Sequence, residues 1–68
     1  MRTNRQNEIR TIKTETVDNV HIGIFYNKVF NNFVVTIFNR DTLKIQTELF
    51  NDIIPANLAF DTAKIKAK

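Results

Sequence analysis

The sequence predicts an α+β fold, a small antiparallel β-meander of about four strands closed by a C-terminal helix. Three observations predict it. Two runs of β-branched and aromatic residues, within Val20–Phe38, flank an Asn31-Asn32 pair. Thr42–Phe50 alternates, with Leu43, Ile45 and Leu49 on one side and Lys44, Gln46 and Glu48 on the other. Asn51–Lys68 is rich in Ala and Lys, which favour helix.

The first strand is placed at Glu8–Val17, rich in Thr and Ile with Arg10, Lys13 and Glu15 spread along it. Charges distributed in this way are what an edge strand carries against pairing with another chain. Residues 1–7 show no periodicity and are expected to fray. Asp18-Asn19 makes a tight turn, and strand two runs from Val20 to about Phe30.

Asn tolerates positive φ, so Asn31-Asn32 is read as a two-residue turn. That register sets Phe33 opposite Phe30, Val35 opposite Lys28 and Ile37 opposite Tyr26. Phe33–Phe38 has high β-propensity and no charge, which places it inside the sheet. Asn39-Arg40-Asp41 is the next turn. As a three-residue loop it pairs Leu43 with Ile37 and Ile45 with Val35, and Ile22, Ile24, Val35, Ile37, Leu43 and Ile45 then form one core face. A four-residue loop would turn strand four over, because a one-residue slip exchanges the faces.

In the last segment Asp52 can cap a helix and Pro55 suits its first turn. On a helix, Ile53, Ala56, Phe60, Ala63 and Ala67 make one stripe, while Ile54, Leu58 and Ile65 fall opposite. The competing assignment is a fifth strand at about Leu58–Ala67. The stretch Ile54-Pro55-Ala56-Asn57-Leu58 resembles the turn before the last strand of SH3 domains, and this resemblance implies an all-β, five-stranded SH3-like barrel. It covers those residues alone. The acidic, aromatic start and the paired Trp of an SH3 domain are missing, so its peptide-binding function is not carried over.

Composition bounds the function. The chain has 68 residues, enough for one domain with a small core that gains from a partner subunit. It has no Cys and no Ser, which removes disulfides, thiolate metal sites and the commonest nucleophiles. The acids are scattered and His21 is the sole His, so no catalytic residue, metal site or cofactor is expected. The single Gly, Gly23, lies within a strand and makes no phosphate-cradling loop, and no small-molecule substrate is evident. The lack of Cys fits a cytoplasmic protein, and with no apolar run of about 18 residues and no signal peptide read at the N-terminus, no membrane is expected as a partner. The abundance of Asn, Ile, Phe and Lys suits an AT-rich phage or mobile-element gene.

Two function classes remain. One is a protein-binding module, either an inhibitor of a larger host protein or a homodimeric assembly unit, motivated by apolar residues on both sheet faces. The other is a nucleic-acid-binding module, motivated by basic termini and an aromatic face. In the register above, the second face carries Arg10, Ile12, His21, Phe25, Phe38 and Lys44, with Phe25 directly opposite Phe38 and Ile12 across from Phe25; Lys13 lies beside it. Arg10, Lys13, His21, Phe25, Phe38 and Lys44 are therefore the candidate contacts for a partner or a nucleic acid. The net charge of +3 is low for a dedicated nucleic-acid binder, which puts protein binding first.

Overall fold

The structure, a computed structural model, describes residues 9–67. The expected fraying of 1–7 lies outside the described residues. Four strands, Ile9–Val17 (β1), Val20–Asn27 (β2), Asn32–Asn39 (β3) and Lys44–Phe50 (β4), precede one helix, Ile53–Ala67 (α1). The strands pair antiparallel in chain order, β1-β2-β3-β4, in an open sheet. The meander and helix are as the sequence predicts. The five-stranded barrel is not formed, because Leu58–Ala67 is helical and the sheet does not close.

Local chemistry explains each turn. Val17 pairs with Val20, so Asp18-Asn19 is a two-residue loop, with Asp18 in the left-handed region at φ 53. The β2–β3 connection corrects the expected register. Asn27 pairs with Asn32, and residues 28–31 form the loop. The Asn27 side-chain oxygen accepts from the backbone N–H groups of Val29 (2.9 Å) and Phe30 (3.3 Å), which starts the turn before the Asn pair is reached. Asn31 then takes the left-handed conformation, φ 58, and Asn32 begins β3. Strand two thus ends at Asn27, not Phe30. The shift spans an even number of residues, so Ile22, Ile24, Val35 and Ile37 keep their common face.

The β3–β4 loop repeats the same device. Asn39 pairs with Lys44, and the Asn39 side chain accepts from the N–H groups of Asp41 (2.9 Å) and Thr42 (3.2 Å). Leu43 closes the loop at φ 59, in the left-handed region. This is the four-residue loop, and it turns β4 over. Leu43 and Ile45 are not core residues; Gln46 pairs with Ile37, and Glu48 with Val35. The apolar side of β4 faces away from the helix. The loop is also tied to the first turn, where the Arg40 N–H donates to the Asn19 carbonyl and the Asn19 amide donates to the Asp41 carboxylate, both at 2.8 Å.

The helix supplies what β4 withholds. Asp52 caps it, its carboxylate accepting from the Ile54 N–H at 3.3 Å, while Lys64 and Lys66 occupy the last turn beside the exposed carbonyls. Ala56, Phe60 and Ala63 are buried against Ile22, Ile24 and Val35, with Val20, Phe33, Ile37, Phe50 and Ile53 around them. The two alanines let the helix approach the sheet, and the Phe60 ring fills the space between. Lys13 of β1 lays its ammonium 4.5 Å from the centre of the Phe60 ring, and Lys64 bridges to Glu15 at 3.1 Å. At the surface such a bridge is worth about 0–1 kcal/mol, so burial carries the stability. Ile54, Leu58 and Ile65 face solvent on the opposite stripe.

Two outcomes follow from this packing. Phe60→Ala is expected to cost about 3–5 kcal/mol in urea unfolding, against about 0.5 kcal/mol or less for Leu58→Ala; similar costs for both would mean the helix docks by another face. Leu43→Asn is expected to stabilise by about 1 kcal/mol, because Asn adopts the left-handed backbone at lower cost than Leu. A fall in stability would show that the Leu43 side chain makes a contact that offsets its backbone strain.

Candidate interaction face

Strand registry sorts the side chains into two sets. Toward the helix side project Arg10, Lys13, Glu15 and Val17 of β1, Val20, Ile22, Ile24 and Tyr26 of β2, Phe33, Val35, Ile37 and Asn39 of β3, and Lys44, Gln46, Glu48 and Phe50 of β4. The other set comprises Ile9, Thr11, Thr14, Thr16, His21, Gly23, Phe25, Asn27, Asn32, Val34, Thr36, Phe38, Ile45, Thr47 and Leu49. No described element covers this second set. It contains no Lys, Arg, Asp or Glu. Ile45 and Leu49 are each 64% exposed, while Phe25, Val34 and Phe38 are half-buried by their neighbours.

The centre of the face is shaped by Gly23. A side chain there would meet the Phe25 ring at 2.8 Å, because that ring lies over the glycine backbone. Beside it His21 accepts or donates through Nδ1 to the Thr16 hydroxyl at 2.8 Å and lies near-parallel to Phe38, ring centres 6.3 Å apart. These groups line a shallow depression of about 260 Å³ bounded by Thr14, Gly23, Thr36 and the two aromatic rings. The arrangement offers apolar surface and neutral hydrogen-bonding groups.

The six candidate contacts divide between the two sides. His21, Phe25 and Phe38 are together on the open face. Phe38 pairs with His21 and Phe25 with Val34, so the expected Phe25–Phe38 pair is not formed. Thr11, not Ile12, is across from Phe25; the register slips between Thr11 and Lys13, which makes Ile12 the extra residue of a β-bulge. Arg10 is across from Tyr26, Lys13 sits over Phe60, and Lys44 lines a groove of about 360 Å³ with Ile37, Gln46, Ala63 and Lys66. All three cations are thus on the helix side, away from the aromatics. Ile45 and Leu49 are the face residues that sequence reasoning missed. Their alternation was plain; the signal that could have placed them is the Asn39 side chain, repeating the role of Asn27.

Among the described residues no group of three or more His, Asp and Glu is placed to hold a metal ion, and no helix is long and apolar enough to cross a membrane. Comparison with family models, curated proteins and solved structures finds no match.

Proposed function

We propose that this chain is a non-enzymatic protein-binding module whose contact surface is the open sheet face. The observation that carries the reading is that, among the described residues, no charged side chain projects from that face, together with the exposure of Ile45 and Leu49 on it. The apolar part of this uncharged face, Phe25, Val34, Phe38, Ile45 and Leu49, gains free energy when a protein partner takes it out of water. A flat sheet with one shallow depression suits another protein surface better than a small ligand. An inhibitor of a larger protein and an assembly unit are both served by such a face.

The nucleic-acid reading has less support. Stacking of bases on Phe25 and Phe38 needs cations nearby to hold the phosphates, and Arg10, Lys13 and Lys44 are placed on the other side of the sheet.

Thr36 lies mid-face, across from Gly23 on one side and Thr47 on the other. Thr36→Arg places a charge there without touching the core. Parent and variant, immobilised side by side and exposed to extract from the source cells, are expected to differ in a protein that the parent retains and the variant loses. The parent is expected to show no binding to single-stranded or duplex DNA or to RNA at low salt. Equal retention of proteins by both, or salt-sensitive nucleic-acid binding that Lys13→Ala or Lys44→Ala removes, would overturn the proposal.

A further inference from the structure

The sheet has two edges, and they differ. The β1 edge is interrupted by the bulge at Ile12 and carries Arg10, Lys13 and Glu15. Bulges and charges of this kind block edge pairing. The β4 edge also carries charges, Lys44 and Glu48, but it has no bulge to interrupt it. Its register with β3 runs unbroken from Phe50 to Lys44, and its residues are exposed up to Leu49. Among the described residues no strand pairs with this edge, and a regular edge of this kind presents backbone N–H and C=O groups to another strand.

The order of residues on β4 is compatible with a second copy of the same strand. Lys44 and Glu48 are equidistant from Gln46 and share its face. When a second copy of β4 pairs antiparallel with its two-fold axis at Gln46, Lys44 stands opposite Glu48 of the second copy, and Glu48 opposite its Lys44. Gln46 meets its own copy, and an amide can both donate to and accept from another amide. On the other face Ile45 meets Thr47, so no charge enters. A register centred on Glu48 or on Lys44 would instead set like charges directly opposite.

We infer that the chain forms a two-fold dimer through β4, joining two four-stranded sheets into one eight-stranded sheet. The two helices lie on one side and the two uncharged faces run together on the other. A closed two-fold contact uses the same edge on both copies, and the bulged β1 edges at the two ends of the joined sheet stop further growth. This inference does not rest on the open-face reading, since the edge and the face are different surfaces.

Charge exchange tests it. Lys44→Glu and Glu48→Lys each place two like-charge pairs across the two-fold, and each is expected to weaken the dimer about tenfold or more in sedimentation equilibrium. The double variant restores opposite charges and is expected to recover the parent's dimer. An intrachain pair cannot mimic that rescue, because four residues along a strand span about 13 Å. Gln46→Cys, in a chain without other cysteines, is expected to give a disulfide-linked dimer under mild oxidation. Circular dichroism confirms that each variant is folded. The inference is overturned if the parent is monomeric at high micromolar concentration, if the single exchanges leave a dimer intact, or if the double variant fails to recover it. Loss of the dimer in Thr36→Arg with the edge variants silent would assign self-association to the open face instead.

Discussion

Strands have a period of two, so the number of residues in one loop decides which side of the following strand is apolar toward the core. In this chain the decision is made at residues 40–43. Asn39 accepts from two N–H groups and starts the turn, and Leu43 ends it in the left-handed region. The result points Ile45 and Leu49 away from the helix and turns Gln46 and Glu48 toward its rim. The apolar character of β4 on the open face follows from that parity. With a three-residue loop β4 would add Leu43 and Ile45 to the core, and the open face would carry Lys44 and Gln46.

The helix makes the alternative affordable. Phe60, Ala56 and Ala63 complete the core over β2 and β3, leaving β4 to contribute mainly Phe50. A 68-residue chain has few apolar side chains to place, and here many lie outside the core: Ile45 and Leu49 on the sheet, Ile54, Leu58 and Ile65 on the helix. Ile45 and Leu49 adjoin Phe38 and Val34 on the open face, and apolar side chains gathered in this way mark interaction surfaces. Leu43 adds a local cost, since a bulky residue in left-handed backbone is strained where Asn or Gly would serve.

The fold class and the order of elements were legible because they rest on patterns spread over many residues. Alternation in β4 and the apolar runs of β2 and β3 each point one way, and the Ala-rich composition from Ile53 to Ala67 favoured helix over a competing fifth strand. Face assignments in β2 and β3 survived a wrong turn because the error was even. The assignment in β4 did not survive, because it hung on a single residue of loop length. What was missed is the competition by Asn27 and Asn39 side chains for backbone N–H groups, a local effect that periodicity does not register. The candidate site suffered accordingly: its aromatics are together, and its cations are on the other side of the sheet.

Cross-strand contacts between β3 and β4 test the account most directly. Nuclear Overhauser spectroscopy reads which residues face each other across this pair. The structure predicts backbone contacts of Phe38 with Ile45 and of Thr36 with Thr47, and side-chain contacts of the Phe60 ring with Ile24 and Val35. Contacts of Ile37 with Leu43 and of Val35 with Ile45 would show the shorter loop. They would move Ile45 into the core and remove the uncharged face on which the functional reading stands.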